Sequence, residues 1–284
     1  MNAFFGKISA FFLSVSLFFT YLFGLAAPSA DSGIEVTGQN RLLLADALCA
    51  AQGMCFDGEY YYSSGSVSAL NMTSLAKWDK SFRCIKKNTV AVPREFTKTY
   101  GSNHIGGIDL TDSYIYAPVE GKTDNGYEHN FVLLYDKETL EYTGIYYELT
   151  CDKLTDGIPW CAADEENGYF YTSKYNGAEE ILRYDLKTME FLGTVPLSQT
   201  LNKLQGGDVY GGVLYLSADV SDSVTETVYA VELATGNVRV AFERTMCSPD
   251  NEAEDIFVYP FPDGSLFHVV DYDKLLGVNV THYR

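Results

Sequence analysis

Basic side chains are scarce in this sequence of 284 residues, and so are the motifs of common enzyme classes. Lys and Arg number 20 against 38 Asp and Glu, which gives a net charge of −18. So acidic a chain repels phosphate backbones, and nucleic acid is therefore excluded as a partner. The sequence also lacks a G-x-S-x-G elbow, a P-loop, an H-E-x-x-H pair and EF-hand spacing. Local signatures therefore assign no reaction to this chain.

The cysteines and histidines do not form a zinc pattern. There are six Cys and four His, and no two Cys are spaced C-x-x-C. An even number of Cys in an exported chain is typical of disulfides. Cys151 and Cys161 flank one loop and are the first pair that we predict, with Cys49 and Cys55 as the second. Cys84 is interpreted instead as a small apolar residue in a strand.

The first 30 residues differ from the rest and predict export. Lys7 is their only charged side chain, and the run from Ile8 to Ala27 is almost wholly apolar. Such a segment is typical of a secretory signal peptide, cleaved after Ala26, Ser29 or Ala30. The run is also long enough to span a bilayer, so an uncleaved N-terminal anchor is the alternative. In either case we expect a secreted or extracytoplasmic protein with no other membrane segment.

An aromatic phrase recurs along residues 31–284 and predicts the fold. Each copy follows a turn rich in Gly, Asp or Asn, and the copies are anchored on Tyr62, Tyr116, Tyr171, Tyr215 and Phe267. Their spacing of 54, 55, 44 and 52 residues, with several short strands per repeat, indicates a single all-β domain, a β-propeller. We interpret the Tyr and Phe side chains as core between the blades.

The repeats predict five four-stranded blades. The last repeat has only three strands before the chain stops at Arg284, while residues 33–45 have no repeat of their own. We therefore expect this N-terminal strand to complete the last blade, which leaves no open sheet edge. The predicted blades are residues 51–98, 99–152, 153–201, 202–248, and 249–284 with 33–45. Six blades remain the alternative, if one repeat has diverged. We expect a monomer.

The innermost strand of each blade precedes the aromatic phrase and should line the central channel. Paired glycines occur there at Gly106-Gly107 and Gly206-Gly207, as expected where backbones crowd towards an axis. Polar, acidic and aromatic side chains accompany them, and we predict that the channel gathers His104, Asp109, Asp156, Trp160, Asp164, Asp208, Glu254 and Asp255. Glu120, at the end of the second strand of blade 2, is a further predicted ligand-binding residue. The alternative is that each Asp only caps a turn at a strand end.

Two kinds of chemistry are consistent with these residues. Crowded carboxylates repel one another, and Ca²⁺ would relieve that repulsion, so Asp164, Asp208, Glu254 and Asp255 are the candidate calcium ligands. His104 precedes two glycines and is the candidate general base. A structural His104 that bonds to a neighbouring blade is the alternative. No other cofactor is indicated.

The repeats resemble those of the YVTN and quinoprotein-dehydrogenase-like propellers. More narrowly, the segments Asn103–Asp109 and Ile115–Glu120 are similar to a motif in uncharacterised secreted propeller proteins. The resemblance places His104, Asp109 and Glu120 on motif positions and assigns no catalytic role to them. The group includes binding scaffolds, lactonases and glutaminyl cyclotransferases, so the fold alone selects no reaction.

The sequence thus favours a scaffold that binds a small molecule or a protein at the mouth of the channel, where propellers gather their loops. The alternative is a calcium-assisted hydrolase or lactonase that uses the channel carboxylates and His104.

Overall fold

The structure is a computed structural model of the chain. It describes residues 27–28, 33–43, 45–67, 70, 72–124, 126–220, 225–245, 251–273 and 277–284. Apart from residues 27–28, the predicted signal segment lies outside the described residues, as does Cys247. Within the described ranges, no helix is long and apolar enough to cross a membrane.

Five antiparallel sheets follow one another along the chain, and each corresponds to one predicted repeat. Blade 1 consists of Gly53–Phe56, Tyr61–Val67, Met72–Trp78 and Cys84–Asn88. Blade 2 consists of His104–Ile105 with Asp109–Leu110, then Tyr114–Glu120, Asn130–Asp136 and Tyr142–Glu148. Blade 3 consists of Ala162–Asp164, Tyr169–Thr172, Ala178–Asp185 and Phe191–Leu201.

The last two blades complete the ring. Blade 4 consists of Leu204–Tyr210, Val213–Ala218, Thr225–Glu232 and Asn237–Thr245, and its outer edge pairs with Ala27–Pro28. Blade 5 consists of Asn251–Val258, Phe267–Asp273, Gly277–Tyr283 and Val36–Leu42. The inner strands of neighbouring blades contact one another around the whole ring, including blade 5 with blade 1. The prediction of a five-bladed propeller is confirmed.

Ring closure occurs where the sequence predicts it. The N-terminal strand Val36–Leu42 pairs antiparallel with Gly277–Tyr283 and becomes the outer strand of blade 5. Side chains reinforce the ladder, because Arg41 Nε donates to Asn279 Oδ1 at 2.7 Å. An N-terminal strand and the C-terminal strand are therefore joined in one sheet, and the last blade has its full four strands.

The turns between the third and fourth strands are set by aspartate. Asp136 Oδ1 accepts hydrogen bonds from the Thr139 N–H at 2.7 Å and from the Thr139 hydroxyl. Asp185 does the same for Thr188, with 2.8 Å to the N–H. A short side-chain acceptor that satisfies turn N–H groups is the usual reason for Asp at such positions. The recurring Asp-x-x-Thr sequence therefore ends one strand and starts the next.

The aromatic anchors lie in the core between blades, as predicted. Tyr62 is fully buried, and Tyr116 and Tyr171 are nearly so. Tyr215 of blade 4 meets Phe267 of blade 5 with ring centroids 5.0 Å apart. Burial of each such ring contributes roughly 1.5–3 kcal/mol to folding.

Short helices occur in two connections. Residues Ala47–Cys49 form a 3₁₀ turn. Arg94–Thr99 forms an α-helix that the strand pattern does not predict, because six residues are too few to show a helical period. Pro93 starts this helix, and Phe96 anchors it against Phe131 at 5.0 Å between ring centroids.

The predicted disulfides Cys151–Cys161 and Cys49–Cys55 are wrong, since all four of these cysteines are free. Cys161 is fully buried just before the inner strand of blade 3, where its thiol contacts the carbonyl oxygens of Gly107 and Tyr116 at 3.6 and 3.4 Å. Spacing along the sequence did not reveal that this thiol packs between blades 2 and 3. Cys84 is also free but exposed, on the outer strand of blade 1.

Candidate functional site

The two faces of the ring carry different ends of the inner strands and different connecting loops. Antiparallel neighbours reverse direction at each turn, so all five inner strands begin at one face and end at the other. We call the face where they begin the mouth face and the other the rear face. Loops between the second and third strands also lie at the mouth face, while the hairpins that follow the inner strands lie at the rear face.

Below the mouth, the inner strands of neighbouring blades approach one another closely. A Cβ atom on Gly53 of blade 1 would lie 2.8 Å from Gly107 Cα of blade 2. A Cβ atom on Gly206 of blade 4 would collide with Asp255 of blade 5. Glycine is therefore required where neighbouring backbones approach this closely. Glycine at these positions therefore allows the inner strands to pack closely around the axis.

Three predicted channel aspartates join neighbouring blades. Asp109 accepts a hydrogen bond from the Ala163 N–H at 2.7 Å, and Asp208 from the Val258 N–H at 2.6 Å. In each case the carboxylate satisfies a buried N–H in the inner strand of the next blade.

Asp255 continues the series. It accepts from the Met54 N–H at 3.0 Å and thereby joins blade 5 to blade 1. Burial raises the pKa of all three carboxyls, to about 7 for Asp208, and Asp208 raises the pKa of both Asp109 and Asp255 further. These carboxyls hold the ring together.

The four candidate calcium ligands occupy different surroundings. Asp164 caps its own rear-face turn by accepting from the Asn167 N–H at 3.1 Å. Asp208 and Asp255 bind backbone N–H groups inside the ring, and Glu254 faces the mouth, 3.4 Å from Gln52 Nε2. Throughout the described part of the chain, no three His, Cys, Asp or Glu side chains form a group that could hold a metal ion.

Trp160 is a core residue of the inner ring. Its side chain is fully buried, and a Cβ atom on Gly207 would lie 2.9 Å from its six-membered ring. A parallel bridge to Gly107 links it to blade 2. Its indole Nε1 has no hydrogen-bond partner among the residues that the structure describes. A buried donor left without a partner costs free energy unless a water molecule or a ligand satisfies it.

His104 and Glu120 lie together at the mouth, on the first two strands of blade 2. Imidazole Nδ1 is 3.5 Å from Glu120 Oε1, and 31% of the His104 side chain remains exposed. Burial lowers the pKa of His104 and raises the pKa of Glu120 to about 8. At neutral pH the pair is therefore a neutral imidazole beside a largely protonated carboxyl.

The Glu120 carboxyl rests on the backbone that leads into blade 3. Oε2 accepts a hydrogen bond from the Ile158 N–H. Gly157 has φ +99° and leaves room for the carboxyl, because a Cβ atom at this position would collide with Oε2. Asp156, the next predicted residue, accepts from the N–H groups of Tyr175 and Asn176 at 2.9 and 2.7 Å and ties together two mouth loops of blade 3.

Tyr175 lies in an acidic cluster of which the sequence predicted Asp156 and Glu254 but not Asp219 or Glu252. Burial raises its pKa to about 12, and the nearby carboxylates that raise it further are Asp219, Glu254, Glu252 and Asp156. Burial also raises the pKa of Glu254, well above its usual range, and Glu252 and Asp219 add to the effect. Carboxyls of blades 3, 4 and 5 therefore converge on one phenol.

A second tyrosine lies between this cluster and Glu120. Burial raises the pKa of Tyr127, and Glu120 and Asp156 raise it further. Tyr127 and Tyr175 both come from loops between second and third strands, a position that the repeat pattern treats as variable turn. The inner strands alone therefore do not indicate these two tyrosines. We call this set of mouth-face residues the acidic mouth: Glu120, Tyr127, Asp156, Tyr175, Asp219, Glu252 and Glu254.

Comparisons with known proteins support the fold. No protein-family model matches the chain, and no curated protein matches it. The exo-β-1,3-galactanase from Phanerochaete chrysosporium, solved with β-1,3-galactotriose, is similar over 88% of this chain and 63% of its own, with 14% identity and a TM-score of 0.55. A bifunctional GH43-CE protein from Bacteroides eggerthii is similar over 87% of this chain and 34% of its own, with 13% identity and a TM-score of 0.55.

This chain spans less than two thirds of the length of each of these two structures. Likeness at this level of identity supports the propeller fold and no narrower family. The resemblance to YVTN and quinoprotein-like propellers therefore remains a prediction.

Proposed function

We propose that this chain is an extracytoplasmic binding protein that holds a small organic cation, an amine, in its acidic mouth. The observation that carries the proposal is the approach of acidic segments from separate blades to Tyr175 at the mouth face. The Leu204 N–H donates to the Tyr175 carbonyl at 3.1 Å, the Asp219 N–H donates to the adjacent Lys203 carbonyl at 3.0 Å, and Asp219, Glu252 and Glu254 all raise the pKa of the Tyr175 phenol. Carboxyl groups from separate blades are brought together here by folding. The export prediction belongs to the same proposal and rests on the N-terminal segment.

Charge selects the class of ligand. Five carboxyl groups surround the mouth, against two basic side chains that we find near them in the described ranges, His104 beside Glu120 and Lys203 near Asp219. Like charges in a partly buried site repel one another, and a bound cation relieves this repulsion. Burial weakens solvent screening, so the attraction exceeds that at an exposed surface. An anionic or nucleic acid ligand is disfavoured for the same reason.

Two tyrosines favour an organic ammonium. An aromatic ring attracts a cation placed over its face, and carboxylates supply the hydrogen-bond acceptors for N–H groups. Tyr127 and Tyr175 stand beside these carboxylates on the two loops that border the mouth.

Protons should leave the site when the cation binds. Glu254 has a raised pKa in the free protein, and a neighbouring positive charge favours the ionised carboxylate. Amine affinity should therefore rise with pH across the neutral range. The number of protons released can be counted by calorimetry in buffers of different ionisation enthalpy.

Calorimetric titration with matched ligands tests the proposal. The panel consists of agmatine, putrescine and choline as cations, galactose as a neutral ligand, acetate as an anion, and Ca²⁺ as the inorganic cation. We expect at least one amine to bind, with proton release, and E254Q or D219N to weaken it roughly ten-fold, as for loss of a charged hydrogen bond. The control E141Q changes an exposed rear-face carboxylate and should have no effect.

Failure of every amine to bind, or equal affinity for E254Q and the unchanged chain, would contradict the proposal. Binding of Ca²⁺ without any amine would replace it with the metal site predicted from sequence.

One observation favours a second function, hydrolysis. His104 and Glu120 lie 3.5 Å apart, and their pKa values are displaced in opposite directions, which suits a neutral base beside a protonated acid. We would test turnover of β-1,3-galacto-oligosaccharides, lactones and N-terminal glutaminyl peptides, with Ca²⁺ or with a chelator. Product formation that is lost in E120Q and H104A, with folding intact, would establish hydrolysis and displace a purely binding role.

A further inference from the structure

A second cavity lies on the rear face, away from the acidic mouth. It occupies about 380 Å³ between blade 1 and blade 5. Its lining comes from the hairpins that follow the inner strands of these two blades and from the turn that contains Lys80. A volume of this size suits a small ligand. The cavity belongs to no predicted site and shares no residue with the acidic mouth.

Aromatic rings form its floor and one wall. Phe56 and Tyr61 form the floor, with ring centroids 4.5 Å apart, and both are largely buried. Tyr259 and Phe261 form the wall, edge-on to Phe56 at 5.0 and 5.2 Å between centroids. Tyr259 remains 36% exposed, so its ring is available to a ligand. Such a set of perpendicular rings offers both faces and edges to a flat ring.

The wall is rigid before any ligand arrives. Pro260 and Pro262 restrict the backbone beside the two wall rings. The hairpin is closed by hydrogen bonds from the Tyr259 N–H to the Leu266 carbonyl at 2.9 Å and from the Phe261 N–H to the Ser265 carbonyl at 2.8 Å. A preformed wall reduces the entropy that is lost on binding.

Lys80 gives the cavity a charge opposite to that of the protein. It is the charged side chain in the lining, and its Nζ lies 5.8 Å from the Phe56 ring centroid. Asp263 lies close enough to raise the pKa of Tyr61, but its carboxylate is held by the N–H and hydroxyl of Ser265. A chain of net charge −18 that lines one apolar cavity with a lysine favours an anionic group at that point.

We propose that the rear-face cavity binds an organic anion built on a flat ring, an aromatic carboxylate, with its ring against the exposed ring of Tyr259 and its carboxylate at Lys80. This site is independent of the function proposed for the acidic mouth. The two faces of the propeller then select ligands of opposite charge.

Indole-3-acetate and its neutral analogue indole-3-acetamide are suitable probes, because they share a ring and differ in charge. Titration followed by ligand-detected NMR should give a dissociation constant roughly five-fold lower for the acetate than for the acetamide, as expected for a partly exposed ion pair. K80M should abolish this preference and leave the amide affinity unchanged. Y259A should weaken both ligands, and the control K86M, at an exposed outer-strand lysine, should weaken neither.

Circular dichroism and the melting temperature confirm that each variant is folded. Equal affinity of the unchanged chain for the two ligands would overturn the proposal, as would a complete lack of binding. Retention of the charge preference in K80M would also overturn it.

Discussion

The carboxyl of Glu120 depends on the absence of a side chain at Gly157. The glycine has φ +99° and faces Oε2, while the Ile158 N–H that follows it donates to the same oxygen. Glycine is therefore required at position 157 for two reasons. The backbone has a conformation that L residues rarely adopt, and a side chain would occupy the space of the buried Glu120 carboxyl. In the sequence, Asp156-Gly157 indicates only a turn. The need for space beside Gly157 follows from the position of Glu120 in the fold.

Replacement of Gly157 by alanine should destabilise the protein by about 3 kcal/mol, because strain at positive φ adds to displacement of a buried hydrogen-bonded carboxyl. G144A is the matched control, since Gly144 has φ +87° and open space around it. We expect about 1 kcal/mol for this control. Urea denaturation measures both variants, and equal losses would show that Glu120 does not depend on Gly157.

Glu120 should make stability depend on pH. Its pKa in the fold, about 8, is raised above the ordinary value by burial, so its stabilising contribution is complete below pH 4.5 and is lost as pH rises through 8. Glutamine can still accept from the Ile158 N–H but cannot ionise. Between pH 5 and pH 8.5, the unfolding free energy of E120Q should therefore fall less than that of the unchanged chain, and the difference should be on the order of a few kcal/mol.

Other titrating groups cancel in this comparison because they are common to both proteins. Parallel pH profiles for E120Q and the unchanged chain would mean that the Glu120 pKa is not raised.

At the scale of elements, the N-terminal strand is the one on which closure of the ring depends. Val36–Leu42 covers the edge of Gly277–Tyr283 and is the only segment of blade 5 that comes from the start of the chain. An uncovered edge strand presents unpaired N–H and C=O groups to other molecules. His282 also loses a partner without this strand, because Asn40 Nδ2 lies 2.8 Å from its Nε2.

A chain that begins at Ala45 should melt at least about 10 °C below a chain that begins at Asp31 and should self-associate. A synthetic peptide of residues 33–44 should restore the melting temperature by adding the missing strand. Differential scanning fluorimetry and light scattering provide the two readouts. Equal melting temperatures and monomeric behaviour for both chains would contradict closure by this strand.

The sequence predicted elements best where a repeat made them regular. Spacing between the aromatic anchors defined the blades, and the missing strand of the last repeat revealed the closure. Irregular elements were not predicted. The helix Arg94–Thr99 is too short for a periodic signal, and the inner strand of blade 2 divides into His104–Ile105 and Asp109–Leu110. Gly106 and Gly107 produce that division by bringing the backbone against Pro159 and Trp160 of blade 3.

At the scale of the whole molecule, charge is unevenly distributed. The acidic mouth collects carboxyls that lie up to 134 positions apart, from Glu120 to Glu254, while the rear-face cavity contains Lys80. Local sequence could indicate His104, Glu120 and Glu254 because inner strands and the repeat motif mark them. It could not indicate Tyr175 or Asp219, since their approach depends on the relative rotation of blades 3, 4 and 5.

Net charge should limit stability at low ionic strength. A compact chain of charge −18 repels itself, and salt screens interactions between exposed charges. We expect the melting temperature to rise by roughly 2–4 °C between about 10 mM and 500 mM NaCl. The buried pair Arg244 and Asp271, with 0% and 1% side-chain exposure, is hardly screened and should not reverse this trend. A melting temperature that falls with added salt would contradict it.

The most direct test of the proposed function is a crystal structure of the chain with the amine that binds best in calorimetry. We predict that the ammonium nitrogen lies about 3 Å from carboxylate oxygens of Asp219, Glu252 or Glu254 and close to the ring of Tyr175. An amine found only outside the acidic mouth, or a mouth that stays empty at saturating amine, would contradict the account.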